Sequence, residues 1–294
     1  GLKQITDYPL DEIRRYIDWT FFFSAWEIRG SFPKLLNDPV KGEAARELFE
    51  NANSLLDDII DKNLLQANIA YGFWPAHSEG DDIILYEDEK RADELVRFNM
   101  LRQQKIRNEV ALSLSDFIAP KNSEIDDYIG AFAVTAGINA KKLSEKYESE
   151  NDDYNSIMVK AIADRLAEAF AELMHQRVRK EWGFSDKKEV TNQDLIREKY
   201  RGIRPAFGYP ACPDHSEKEK LFDVLDAPNI GITLTENYSM SPAASVSGLY
   251  FSNEHSKYFT VGKINQSQVS DYASRKGETS KKINLLLGSN MVWK

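Results

Sequence analysis

Three prolines, Pro205, Pro210 and Pro213, fall within the fourteen residues Gly202-Ile-Arg-Pro-Ala-Phe-Gly-Tyr-Pro-Ala-Cys-Pro-Asp-His215. That spacing excludes a regular helix and argues against a central strand, because each proline fixes φ and removes a backbone donor. Each also drives its predecessor toward extended geometry, while Gly208 leaves the backbone room to turn. The remaining possibility is a stiff, mostly extended loop with aromatic, cationic and thiol side chains at set offsets. Such a loop suits a ligand cradle, in which the planar fork of Arg204 can take a carboxylate or phosphate. An inert connection is the reading it competes with.

A chain of 294 residues can bury a substantial core, as one large domain or two small ones. With 42% apolar and 29% charged residues it reads as a soluble globular protein. Its net charge of -9 argues against nucleic acid as a ligand. The single cysteine excludes an intrachain disulfide and favours a reducing, cytoplasmic setting. The apolar cluster Trp19-Thr-Phe-Phe-Phe23 is too short to span a membrane, and the opening Gly1-Leu-Lys-Gln lacks the apolar region of a signal peptide. The absence of an initiator methionine suggests trimming or excision from a longer polypeptide.

Along the chain, Asp7 to Ile13 offers a helix start with Pro9 in its first turn. Six aromatics follow within Tyr16 to Trp26, and they read chiefly as core. Asp18 among them needs a partner or exposure, and can instead accept from a ligand ammonium or hydroxyl. Residues 41–66 carry an amphipathic repeat at Ala45, Leu48, Phe49, Ala52, Leu55, Leu56, Ile59 and Ile60. Residues 69–75 and Asp82 to Tyr86 read as two short strands around a turn. His77, Glu79, Asp81 and Asp82 invite a metal reading there, against ordinary turn chemistry. Residues 87–111 are charged and helical in pattern, and Asp126 to Thr135 reads as a largely buried strand.

The longest helix is expected from Asp152 to Trp182, with Ile157, Ala161, Leu166, Phe170, Leu173, Met174 and Val178 supplying much of its apolar face. On it, Glu168 and Glu172 lie one turn apart and are explained by solubility and helical charge pairing. His175 reads as a partly exposed polar residue. Thr191 can cap a short helix over Asn192 to Tyr200, and Ser216 another over Ser216 to Leu225. Ile232 to Glu236 alternates like a strand, and Leu249–Phe251 with Lys257–Ile264 fits an antiparallel hairpin. Residues 257–294 hold seven Lys or Arg against two Asp or Glu, either a solvated face or a dock for an acidic protein.

Motif chemistry is sparse. Cys212-Pro-Asp-His215 supplies too few ligands for zinc, and Pro213 tends to splay Cys212 and His215 as a nucleophile pair. No Rossmann glycine fingerprint or P-loop occurs.

The segment Arg204-Pro-Ala-Phe-Gly-Tyr-Pro-Ala-Cys212 resembles the Arg-x-x-x-Gly-Tyr-Pro-Ala-Cys signature of the C-terminal activation domain of cobalamin-dependent methionine synthase. The resemblance extends over essentially the whole chain, through Tyr16-Ile-Asp-Trp19, Tyr128 to Val134, Asp153 to Ala161 and Ala163 to Glu172. It continues through Ser245-Val-Ser-Gly248, Ser256-Lys-Tyr258 and Tyr272 to Gly277. Three positions depart from the family pattern. Phe207 stands at a frequent proline, Ser241 at a tryptophan, and Phe259 at a second tyrosine, so a hydroxyl contact at Phe259 is lost.

This resemblance implies a single α+β domain over residues 1–294, with a twisted, largely antiparallel sheet packed with long helices. It implies binding of S-adenosylmethionine. Arg204 would hold the methionyl carboxylate, Asp18 the ammonium, and Glu168 the ribose or ammonium side. Backbone groups from Ala206 to Ala211, Gly208 and Pro210 among them, would read adenine, with Tyr209 shaping the pocket and Cys212, Tyr258 and Phe259 as further contacts. No residue of the chain is implied as catalytic, and no metal ligand is implied. The implied activity is reductive methylation of cob(II)alamin to methylcobalamin in methionine biosynthesis. The cobalamin would sit in a partner domain or subunit, and the electron would come from flavodoxin or a similar donor. A docking module that binds S-adenosylmethionine without methyl transfer, and an independent small-molecule methyltransferase, are the alternatives.

Overall fold

Two long strands form the spine of the computed structural model, which describes residues 1–104, 110–184, 194–195 and 199–291. Strand β2 (Gln66–Glu79) pairs antiparallel with β5 (Asp127–Ile138), from Gln66 opposite Ile138 to Ala76 opposite Asp127. Beyond β5 lies β8 (Ser245–Tyr250). The other edge of β2 is shared by two strands. β1 (Leu2–Ile5) pairs with residues 69–72, and β3 (Asp82–Tyr86) with residues 76–79. Pro75 sits in the break between them, where no partner on that edge requires an amide. β4 (Glu94–Asn99) completes the antiparallel sheet, and a small separate pair is made by β6 (Thr233–Leu234) and β7 (Met240–Ser241).

Alternation along the strands gives the sheet two apolar faces. Ala67, Ile69 and Tyr71 of β2 and Phe132, Val134 and Ala136 of β5 point to one core. It is covered by α1 (Leu10–Arg14), α2 (Trp19–Ala25), α3 (Gly42–Asp61), α4 (Ala140–Ser149) and α5 (Asp153–Glu181). Ala70, Trp74, Ala76, Ile129, Ala131 and Ala133 point to the opposite core, which holds α6 (Glu217–Leu225) and the proline-rich loop. A third cluster forms around α7 (Gln266–Lys276) and α8 (Ser280–Leu286), with Ile264, Val269, Tyr272 and Ile283 inside. Among the described residues, no helix is long and apolar enough to cross a membrane.

The two strongest periodic stretches fold as their patterns predict. In α3 the buried positions include Ala45, Leu48, Ala52, Leu55, Leu56 and Ile59. α5 starts where Asp152 accepts a hydrogen bond from the Asn155 amide at 3.0 Å. Ile157, however, is 53% exposed, and Met158 takes the inward position. The helix predicted over Asn192 to Tyr200, with its Thr191 cap, falls largely outside the described residues.

Two expectations are corrected. Residues 94–99 are strand, not helix, because the edge of β3 offers a ladder and buries Phe98 beside Val96. Arg97 meets Glu79 on β2 and Asp82 on β3 across strands, and Glu94 three residues back on its own strand. The hairpin expected between Leu249–Phe251 and Lys257–Ile264 does not form. β8 is taken by β5, Phe251 bridges Ile203, and Ile264 bridges Met291. Residues 257–263 instead run as a strap without a strand partner of their own.

The turn acids Glu79, Asp81 and Asp82 pair with Lys121, Arg102, Arg97 and Arg275, and His77 Nε2 lies 3.2 Å from the Ile125 carbonyl. The basic tail also turns inward in part. Arg275 pairs with Asp82, while Lys276 lies between Asp214 at 3.2 Å and Glu217. Tyr272 donates to Asp214 at 2.8 Å, and Lys220 donates to Glu217 at 2.9 Å.

Burial alone would push the Asp214 carboxyl up, but Lys276 and the bonds from Ser216 and Tyr272 hold it below the usual value. A depressed carboxylate contributes stability that is complete above about pH 4 and lost as pH falls through the folded value. Lys276→Met leaves two buried carboxylates without their shared cation. It is expected to lower stability by about 3–5 kcal/mol in urea unfolding at pH 7, and an unchanged midpoint would show the network to be dispensable.

Candidate functional site

The proline-rich loop begins as an extension of the sheet edge. Ile203 and Phe251 exchange backbone hydrogen bonds at 3.2 and 3.0 Å, and the Leu249 amide donates to the Pro205 carbonyl at 3.0 Å. This approach depends on Gly248, where a Cβ would lie 2.4 Å from the Pro205 oxygen. The loop then closes on itself. Gly208 N–H donates to the Cys212 carbonyl at 2.8 Å, Cys212 N–H to Tyr209 at 3.0 Å, and the Cys212 thiol to the Ala206 carbonyl at 3.0 Å. Gly208 has φ +93°, and a side chain there would run into the His215 ring. Phe207 anchors the turn below by stacking on Phe98 at 5.4 Å.

The strap forms the second wall. The Val261 amide donates to the Pro210 carbonyl at 2.8 Å, and the Arg204 amide donates to the Tyr258 hydroxyl oxygen at 3.1 Å. These bonds draw Tyr258, Phe259 and Thr260 against the loop, which a hairpin with β8 would have prevented. The third wall is α5, through Glu168 and Glu172. Between the walls is a cavity of about 430 Å³ lined by Glu168, Arg204, Ala206, Tyr209, Tyr258 and Phe259, with Pro210 and Ala211 also on its surface. An adjoining cavity of about 520 Å³ is lined by Tyr16, Asp18, Glu168, Glu172, Arg204 and Tyr209. Glu168, Arg204 and Tyr209 border both.

Asp18, separated from Arg204 by most of the chain, thus comes to the same pair of cavities. One of its oxygens caps α2 by accepting from the Thr20 amide at 2.9 Å. Gly208 and Cys212 line neither cavity and lie behind the wall that Ala206, Tyr209 and Ala211 present. Burial pushes the Cys212 thiol up, with Glu217 and Asp214 adding to the effect, so it is a packed thiol rather than a nucleophile. His215 Nδ1 lies 2.9 Å from Lys218 Nζ. Tyr209 and Tyr258 stand at the mouth, 61% and 42% exposed.

The charge arrangement differs from its sequence reading at Glu172. Its side chain is only 12% exposed, and Oε2 accepts from Arg204 Nη2 at 2.7 Å. It is therefore a buried partner of the guanidinium, not a solvating helix residue. Burial works most strongly against the Arg204 charge, but Glu172, together with Tyr200 and Tyr258, raises the guanidinium pKa above its usual value. His175, one turn further along α5, is also buried, and its ring stacks on Tyr250 at 5.2 Å. Desolvation, then Arg179 and Arg204, push its pKa well below the usual value, so the imidazole stays neutral. Both misreadings share one cause. A helical pattern identifies an apolar stripe but not which polar residues border a second packed element.

Overpacking at Gly248 gives a direct check on the loop geometry. Gly248→Ala is expected to lose about 1–3 kcal/mol in urea unfolding as the Pro205 carbonyl is displaced. Gly288→Ala, where a Cβ meets nothing within 4 Å, is expected to stay within about 0.5 kcal/mol of the parent.

A family profile described as "Vitamin B12 dependent methionine synthase, activation domain" matches residues 9–277. Among solved structures, the chain is similar to the crystal structure of the MetH reactivation domain bound to AdoHcy. The two share 45% sequence identity with a TM-score of 0.97, and the match covers 100% of this chain and 91% of that one.

Proposed function

The chain belongs to the activation-domain family of vitamin B12 dependent methionine synthase, and on that premise we propose that it binds S-adenosylmethionine in the paired cavities beside Arg204. The related reactivation domain is described as bound to AdoHcy, the same molecule without the transferable methyl group. The observation that carries the reading is the convergence of the Arg204 guanidinium with the carboxylates of Asp18 and Glu168 on adjoining cavities with aromatic rims.

These residues fit the ligand's charges. The fork of Arg204 takes the methionyl carboxylate, Asp18 the ammonium, and Glu168 the ribose or ammonium side. The acids and the faces of Tyr209 and Tyr258 suit a sulfonium. Backbone groups between Ala206 and Ala211 take adenine, and Phe259 supplies an apolar wall without a hydroxyl. Gly208 and Cys212 serve by shaping the loop rather than by touching the ligand.

In the finer reading, residues 1–294 act as one domain beside a cobalamin-binding domain or subunit, in the cytoplasm. An electron from flavodoxin or a similar donor, together with the methyl group of S-adenosylmethionine, returns cob(II)alamin to methylcobalamin and so reactivates methionine synthase. The reduced corrin is the nucleophile, so the chain needs no general base. Its residues hold the sulfonium in place and leave the mouth open to the partner. The isolated chain accordingly binds S-adenosylmethionine but turns nothing over.

Titration calorimetry with S-adenosylmethionine tests the site. Arg204→Ala is expected to weaken binding by about 2–4 kcal/mol, and a folded variant with unchanged affinity would remove Arg204 from the reading. Adding a cobalamin-binding partner and a reductant, then following the corrin absorbance, tests the activity. Methylcobalamin formation is expected. Its absence would favour a docking module, and methylated product from the chain alone would favour an independent methyltransferase.

A further inference from the structure

We propose that Glu172 is a positioning residue for the carboxylate anchor, holding the Arg204 guanidinium in the pose that receives an amino-acid carboxylate; this rests on the S-adenosylmethionine reading above. Arg204 is held at both ends. Its backbone amide donates to Tyr258 on the strap, and its tip donates to Glu172 on α5 at 2.7 Å. The residue is thereby tied to the strap through its backbone and to the rigid helix α5 through the tip of its side chain.

The pairing with Glu172 is incomplete in a specific way. A guanidinium and a carboxylate can form two parallel hydrogen bonds. Here only Nη2 to Oε2 is made, while Arg204 Nε and Glu172 Oε1 are both buried without a hydrogen-bond partner. Native chains seldom leave buried polar atoms unpaired, and such exceptions cluster where a ligand or water completes the set. Glu172 therefore orients the fork without consuming it, and donor capacity remains for an incoming carboxylate.

Glu172 also sets the charge that the ligand meets. The Arg204–Glu172 pair is neutral, and Asp18 and Glu168 against Arg165 leave the cavities net negative, so a bare anion meets an unfavourable charge. A zwitterionic amino-acid end brings its own ammonium, which Asp18 across the adjoining cavity can take. The pair thus selects an α-amino acid terminus over a simple carboxylate or phosphate.

The test compares S-adenosylmethionine with its decarboxylated analogue by calorimetry on the wild type, Arg204→Ala, Glu172→Ala and Glu172→Gln. Glu172→Ala is expected to weaken S-adenosylmethionine by about tenfold or more, and the decarboxylated analogue by less than about twofold. Glu172→Gln keeps an acceptor for Nη2 and is expected to lose no more than about threefold. A general structural role would weaken both ligands alike, so equal losses, or no loss for S-adenosylmethionine, overturn the proposal. If Glu172→Ala is unstable by circular dichroism, Glu172→Met, which fills the space without an acceptor, takes its place. The underlying reading fails separately, when the wild type does not bind S-adenosylmethionine or Arg204→Ala binds it unchanged.

Discussion

Lys276, lodged between Asp214 and Glu217, ties together three pieces of chain that have no strand pairing in common: the end of the proline-rich loop, the first turn of α6, and the last turn of α7. Removing three charges from water is costly, and the arrangement holds only because its polar atoms are met. Tyr272 and Ser216 donate to Asp214, while Lys220 bridges Glu217 to Asn99 on β4. With α7 anchored in this way, the residues between β8 and α7 are free to leave the sheet and cross the loop. Without that anchor, Lys257–Ile264 would have every local reason to fold back on β8 as a hairpin. The network thereby holds the second wall of the cavity, although none of its members lines that cavity.

The opposite wall depends on one face of α5. Glu168, Glu172, His175 and Arg179 succeed one another at helical spacing. Glu168 opens into both cavities, Glu172 grips Arg204, His175 stacks on Tyr250, and Arg179 lies over the Tyr200 ring at 4.0 Å. Tyr250 in turn stacks on Phe132 at 4.4 Å, so the column is keyed to the central strand β5. A neutral His175 can lie flat against Tyr250 and edge-on to Tyr200, where an imidazolium would have to be solvated. The site therefore stands on rigid elements on its inner side. Its outer side, with Phe21, Tyr209 and Tyr258 exposed, stays open.

Several features were legible because they depend on neighbours in sequence. The prolines and Gly208 excluded helix and central strand around residue 208 through torsional restriction alone. The spacing of Ala45, Leu48, Ala52, Leu55 and Ile59 announced α3, and a similar stripe announced α5. Arg204 and Asp18 drew attention as charges that needed partners. Other features misled. β4 looked helical because its sequence does not show that Arg97 reaches Glu79 on β2 and Asp82 on β3. Lys276 read as part of a solvated tail, since the pattern does not show the opposite charge that arrives from elsewhere in the chain.

The sequence by itself determined where the backbone can and cannot be regular, which stripes must be buried, and that a stiff cationic loop would form. These follow from torsion angles and from periods of two or about 3.6 residues, which are local properties. Only the tertiary structure decided that Glu172 meets Arg204, that His175 is neutral and stacked, and that the strap carrying Tyr258 lies on the loop instead of on β8. Each of those outcomes turns on which distant surface packs against the residue and excludes water, and no short stretch of chain carries that information.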